Sequence, residues 1–346
     1  MLPRVRAGAR WRAPIFLCAF LFSSAVSAAQ EAAPYSRLFV FGDSLTDSGN
    51  AFLGTSNVPF ISPIPGPPYF NGRFSNGYNF ADQLNQRLFG QPLTPSAAGA
   101  GGSDFAVGGA TTGDGNNAVP QLPTGMRIQR DVFLQTRPGG NADPTALYLV
   151  YGGSNDVFGA VDQFEQNPSD PAGIRGQMVS TAMGNLNDII GSLAAKGARH
   201  FLIPNLPDLG KTPRFLGNAA DSSFASAASV EFNDALDDLL AQYATLDIRR
   251  LDVFDAFNRA RSGEGGFADT TGACYTGPLT GGAPAPCSNP DAFLFWDEIH
   301  PSARTHALLG GLAYAAAVPE PQTWALLLVG LILLGGAARR AVRVSA

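Results

Sequence analysis

Ala146-Leu147-Tyr148-Leu149-Val150-Tyr151-Gly152-Gly153-Ser154-Asn155-Asp156 is a nearly continuous apolar run that stops on a glycine pair and a polar cluster. A strand apolar at successive rather than alternate positions is buried on both faces, as in a parallel sheet covered by helices. Working outward, the pattern recurs. Arg37 to Phe41 reads as a strand ending at Gly42-Asp43-Ser44, and Asp104 to Val107 as a short strand running into Gly108-Gly109. Phe201 to Pro204 and Ile248 to Val253 are two further strands. Apolar residues at helical spacing fill the intervals at Tyr78 to Phe89, Met126 to Thr136, Ile174 to Lys196, Ser222 to Tyr243 and Ser302 to Ala317. Gly197 is placed to stop the third of these helices, and Pro301 to start the last. Strands alternating with helices predict an α/β fold with a central parallel sheet. Residues 52–76 and 262–292, rich in Gly, Pro and Asn, read as excursions from that sheet. No internal repeat or second domain is visible.

Composition narrows the function. The chain has 346 residues, 45% of them hydrophobic and only 15% charged, with Lys196 and Lys211 the sole lysines. It has no basic stripe, which argues against nucleic-acid binding. At the start, Arg4, Arg6, Arg10 and Arg12 precede the apolar run Ile15 to Phe22 and the small residues Val26-Ser27-Ala28. This predicts a signal peptide over 1–28, the run being too short for a membrane anchor. Its removal takes four arginines and no acid, moving the net charge from −5 to −9. It also removes Cys18, leaving Cys274 and Cys287 as an even pair. In an oxidising compartment that pair reads as a disulfide, two free thiols being the alternative.

At the other end Val318-Pro319-Glu320-Pro321 precedes the apolar run Trp324 to Ala338 and then Arg339-Arg340. As a helix this run spans about 22 Å, short of the roughly 30 Å bilayer core. Residues 318–346 resemble the PEP-CTERM sorting signal of Gram-negative bacteria. That resemblance implies transient membrane contact, cleavage by an exosortase-type enzyme, and release to the cell surface or extracellular matrix. A plain C-terminal anchor is the alternative. The expected organisation is signal peptide 1–28, catalytic domain 29–317 and sorting segment 318–346.

In open α/β sheets, reacting groups gather outside the carboxyl ends of the strands. Three polar clusters fall there: Gly42-Asp43-Ser44, Gly108-Gly109 and Gly152 to Asp156. A serine hydroxyl needs a neighbouring base, and the chain has three histidines. His200 begins a strand on the far side of the sheet from its carboxyl edge, and His306 lies inside a helix; both read as structural. His300 sits in Trp296-Asp297-Glu298-Ile299-His300-Pro301, a loop before a helix, with Asp297 three residues earlier to orient its ring. Glu298 is a competing carboxylate, and a plain surface turn is the alternative for the Asp297–His300 pair. Candidate oxyanion donors are the Ser44 N–H, a glycine N–H in Val107-Gly108-Gly109-Ala110, and the Asn155 side chain.

Phe41-Gly42-Asp43-Ser44-Leu45-Thr46-Asp47-Ser48-Gly49-Asn50 resembles the first block of the GDSL family of SGNH esterases and lipases. Phe105 to Ala110 is similar to the second block, Gly153 to Asp156 to the third, and Asp297 to Pro301 to the fifth. The resemblance implies a flavodoxin-like three-layer α/β/α sandwich, no metal or cofactor, and hydrolysis of carboxylic esters, whether of lipids or acylated glycans. Carried over by position, Ser44 is nucleophile and first oxyanion donor, Gly109 and Asn155 are the other donors, and Asp297 and His300 are orienter and base. Asp104 stands where the second block usually has Asn, which leaves Gly108 as an alternative to Gly109. The sequence also lacks Gly-x-Ser-x-Gly, which disfavours the α/β-hydrolase fold. Tyr69-Phe70-Asn71-Gly72-Arg73-Phe74-Ser75-Asn76-Gly77 resembles a segment of longer family members, and no catalytic role is carried onto it. Two other classes share these features: an acyltransferase acting on surface polysaccharide, and a matrix-associated binding protein with a decayed site.

Overall fold

Four five-residue strands lie side by side in parallel: β1 (Leu38–Gly42), β2 (Leu147–Tyr151), β3 (His200–Pro204) and β4 (Asp247–Leu251). Phe41 faces Val150, Leu149 faces Leu202, and Leu202 faces Arg249 across the ladder. The computed structural model describes residues 34–318 except 57, 61, 100, 120 and 121, together with 330–332. The expected signal peptide and nearly all of the expected sorting segment lie outside these residues. Among the described residues no helix is long and apolar enough to cross a membrane.

The helices are α1 (Asn50–Ser56), α2 (Phe80–Phe89), α3 (Met126–Gln135), α4 (Ser154–Gln166), α5 (Pro171–Ala195), α6 (Ala219–Ala241), α7 (Val253–Arg261) and α8 (Ala303–Ala317). In one layer α2 packs on α8, which in turn touches β3 and β4; in the other, α5 packs against α3, α4 and α6. This is the expected three-layer sandwich. β1 and β2 are buried along their whole length, which is why their sequences are unbroken by polar residues. β4, Asp-Ile-Arg-Arg-Leu, is only partly buried, as suits an edge. Several ends are fixed by side chains: Asn79 and Asp82 form a capping box at α2, Asp170 caps α5, and Ser302 caps α8.

Three expectations are corrected. Asp104 to Val107 is not a strand. It lies along the free edge of β1, with Phe105 N–H bonded to Val40 O and Val107 N–H to Gly42 O, but pairs only through isolated bridges at Asp104, to Val40 and to Pro95. The Asp104 carboxylate captures the Ala106 and Ser48 N–H groups and turns the chain away. The last strand ends at Leu251, because Asp252 leaves it to cap α7. Residues 262–292 also contribute regular structure: β5 (Asp269–Ala273) pairs in parallel with β6 (Phe293–Phe295). Beside them Tyr69, Cys274, Tyr275 and Trp296 form a small second core, and Cys274 and Cys287 are joined by a disulfide, S–S 1.98 Å.

The chain leaves β1 toward the 104–107 edge and returns to pair β2 on β1's other side. The strand order therefore reverses at β1, and the crevice of such a sheet opens at the carboxyl end of that strand. Ser44 follows it directly.

Candidate active site

Ser44 sits in a tight turn made by Asp43. The Asp43 carbonyl accepts from the Thr46 and Asp47 N–H groups, and its Oδ1 from the Leu45 N–H. Asp43 is buried and its Oδ2 has no partner among the described residues; burial pushes its carboxyl up to about 7. Asp47 then ties the turn to the next loop. Its carboxylate accepts from Gly49, Asn50 and Ala51 N–H, and, at 2.8 Å, from Gly108 N–H. That bond distinguishes the two glycines. Gly108's donor is consumed, whereas the N–H groups of Gly109 and Ser44 have no partner among the described residues. Gly109 holds φ +82°, and a Cβ there would lie 2.4 Å from Asn116 Oδ1, so glycine is required by both conformation and space.

Asn155 and Asp156 stand on the first turn of α4 and fasten this loop from the other side. Asn155 Nδ2 donates to Ala110 O at 3.0 Å, and its second amide hydrogen has no partner among the described residues. Asp156 accepts from the Thr112 N–H and hydroxyl at 2.9 and 2.7 Å. Three strand-end segments are thus stitched together around one spot, with three donors left over.

His300 occupies the loop between β6 and α8. Its Nε2 lies 2.8 Å from Ser44 Oγ and its Nδ1 2.7 Å from Asp297 Oδ2. Asp297 Oδ1 accepts from the Ile299 and His300 N–H groups, a turn that fixes the ring. Burial would raise the Asp297 carboxyl, but His300's charge and the hydrogen bonds from His300, Ile299 and Tyr69 outweigh it, and it is held below the usual carboxylate range. An ionised Asp297 accepts a hydrogen bond from Nδ1–H, which keeps the proton on Nδ1 and leaves Nε2 to accept from the serine hydroxyl, the state in which an imidazole can remove that proton. Glu298, the competing carboxylate, is exposed and uses only its carbonyl, on Arg214 N–H.

The other two histidines are elsewhere, as expected. His200 pairs with Asp247 at the start of β3. His306 is buried in α8; burial first, and then His300's charge, pushes it down to about 3, and its Nδ1 accepts from Phe80 N–H.

Sequence reasoning missed two residues. The Tyr69 hydroxyl donates to Asp297 Oδ2 at 2.7 Å, the same oxygen that holds His300. Burial and the Asp297 charge raise this phenol, so it stays a donor. The segment's likeness to longer family members was the available signal. Ser154 Oγ is buried, lines the same cleft as Ser44 and His300, and has no partner among the described residues. It was hidden in a segment read as loop, where the structure has the start of α4.

A hydrogen-bonded Ser–His–Asp chain at the switch point of a parallel α/β sandwich defines the class of this site. The chain belongs to the GDSL-like Lipase/Acylhydrolase family, whose model matches residues 38–312. Esterase EstA of Pseudomonas aeruginosa is 30% identical over 336 residues, covering 86% of this chain and 49% of its own length. Phosphatidylcholine-sterol acyltransferase of Aeromonas hydrophila is 26% identical over 338 residues, covering 85% of this chain and 94% of its own. A solved extracellular lipase of Streptomyces rimosus covers 82% of this chain and 99% of its own, with a TM-score of 0.44 and 15% identity. The chain spans about half the length of the first curated relatives it matches.

Proposed function

We propose that this protein hydrolyses carboxylic esters through an acyl-enzyme on Ser44. The observation that carries the proposal is the unbroken hydrogen-bond chain from Ser44 Oγ to His300 Nε2, and from His300 Nδ1 to Asp297 Oδ2, at 2.8 and 2.7 Å. Ser44 Oγ attacks the ester carbonyl while His300 Nε2 takes its proton. The carbonyl oxygen, now negative, is received by the N–H groups of Ser44 and Gly109 and by the second amide hydrogen of Asn155. Collapse expels the alcohol, which takes the proton back from His300. Water, deprotonated by the same nitrogen, attacks the acyl-serine; the acyl–Oγ bond breaks, the carboxylic acid leaves, and Ser44 Oγ takes the proton from His300. Asp297 stays ionised throughout and offsets the imidazolium charge. Membership of the family, and its relatives named as esterases, support this chemistry.

Replacing water by an alcohol in the second step makes the same residues an acyltransferase. The likeness to an acyltransferase over nearly all of that protein favours keeping this second reading; product analysis with sugar or sterol acceptors separates the two. Export through 1–28 and surface delivery through 318–346, with an exosortase-type partner, belong to the same proposal.

Ser44→Ala tests it. Turnover of a chromogenic short-chain ester is expected to vanish with an unchanged melting transition, and a variant that retains turnover overturns the assignment.

A further inference from the structure

The hydroxyl of Ser154 takes no part in the steps above. Ser154 is the first residue of α4 and only 5% exposed, and its buried Oγ has no partner among the described residues. A hydroxyl so placed weakens the fold unless a ligand satisfies it. The backbone around it has little latitude. Gly153 holds φ +120°, and a Cβ there would lie 2.5 Å from Phe232 Cζ. On the other side Asn155 and Asp156 are fastened to Ala110 and Thr112. The hydroxyl is therefore held in place by its neighbours rather than by a bond of its own.

Ser154 lines the same cleft as Ser44, Asn155 and His300. That cleft measures about 20 Å³, which admits about one water molecule. Much of its wall is apolar, from Phe158, Leu209, Phe257 and Phe295, and a water held there needs at least about two polar partners. Other polar groups of the lining are engaged. Thr212 Oγ1 donates to Leu209 O at 2.7 Å, and the Asn155 amide hydrogens serve Ala110 O and the oxyanion. Once Ser44 Oγ is acylated it has no proton to give, and His300 Nε2 is released to accept from another donor. Ser154 Oγ and His300 Nε2 are then placed to take the two hydrogens of one water. His300 is the only histidine in this lining and faces Ser44 Oγ at 2.8 Å, so Ser154 has no histidine base of its own with which to act as a second nucleophile.

We infer that Ser154 holds the water that cleaves the acyl-enzyme; the inference rests on the hydrolase proposal above. Ser154 Oγ accepts one O–H of the water and His300 Nε2 the other, which leaves an oxygen lone pair for the acyl carbon. As the new C–O bond forms, the proton facing His300 passes to Nε2. The C–Oγ bond then breaks, the carboxylic acid leaves, and His300 returns that proton to Ser44 Oγ. Acylation uses no water, so Ser154 acts in the second half of the reaction alone.

Single-turnover reaction of the full chain with p-nitrophenyl acetate separates the two halves in wild type and Ser154→Ala. Release of p-nitrophenolate times acylation; acid quench and mass spectrometry of the Ser44 peptide time the loss of its acetyl group. Without the hydrogen bond to water, deacylation is expected to slow about tenfold. Acylation, and labelling of Ser44 by a fluorophosphonate, should stay within about twofold of wild type. In the steady state kcat and KM then fall together, while kcat/KM, which reports acylation, is unchanged. The melting transition should stay at or above that of wild type, because alanine removes a buried hydroxyl that the fold does not satisfy. Unchanged deacylation, or acylation and deacylation slowed alike, overturns the role of Ser154 and leaves the hydrolase proposal standing. A wild type that neither releases p-nitrophenolate nor takes the label at Ser44 removes the proposal beneath it.

Discussion

Tyr69→Phe removes one hydroxyl and little else. The ring is buried edge-on against Tyr275 and Trp296, centroids 5.6 and 6.0 Å away, and a phenylalanine keeps both contacts. What is lost is the donor to Asp297 Oδ2. A hydrogen bond to an ionised group contributes about 1.5–3 kcal/mol. Asp297 retains three other donors, the N–H groups of Ile299 and His300 and the His300 ring. Orientation of the imidazole is therefore weakened rather than abolished, by about 1.4 kcal/mol, or tenfold in kcat. Because Tyr69 acts through Asp297 and does not line the cleft, KM should not move. The pH profile gives the independent readout. Tyr69 helps hold the Asp297 carboxyl below its usual range; without it the carboxylate keeps more of its charge for the His300 ring, the base stays protonated to higher pH, and the acidic edge of kcat/KM moves upward. Steady-state kinetics on a short-chain ester from about pH 4 to about pH 8, a span that begins at a carboxylate's ordinary range, measures both. A kcat within about twofold of wild type and an unmoved acidic edge would refute the positioning role.

Other consequences concern the turn and the oxyanion loop. Asp43 is pushed up to about 7 by burial, above an unfolded value near 4. Its contribution to stability is therefore complete below about pH 4 and lost as pH rises through about 7. Asp43→Asn should leave stability at about pH 4 little changed and raise it at about pH 8 by up to about 4 kcal/mol, read from denaturant midpoints at the two pH values. Gly109→Ala must leave the left-handed region or push Asn116 aside; kcat should fall by about 10²–10³, as for loss of an oxyanion donor, with about 1–2 kcal/mol lost in stability. Kinetics and thermal unfolding of the purified variant check both figures.

The sandwich was legible because its central strands are buried on both faces and its longer helices keep a strict apolar period. Leu147 to Tyr151 could be little else. The helices that escaped notice, α1, α4 and α7, are short or start within a polar strand-end loop; α4 begins at Ser154, directly after Gly152-Gly153. Local pattern also overstated Asp104 to Val107, since nothing in those four residues tells that Asp104 will spend its carboxylate on neighbouring N–H groups. At the site, Ser44, Asp297 and His300 could be found because a serine, its base and an orienting acid fall in short polar loops at strand ends. Position in the second block favours Gly109 over Gly108, and what the sequence does not show is that Asp47 takes the Gly108 N–H. The likeness of Tyr69's segment to longer family members marks the region but not the contact, because the Tyr69 bond to Asp297 joins residues 228 positions apart, brought together by the small aromatic core around the disulfide.

The central claim is that Ser44 is the nucleophile and His300 its base. It is tested most directly by mass spectrometry of the protein after reaction with a fluorophosphonate. One adduct is expected, on the peptide carrying Ser44, absent from Ser44→Ala and formed far more slowly in His300→Ala. An adduct on another serine, such as Ser154, or labelling undiminished in Ser44→Ala, would contradict it.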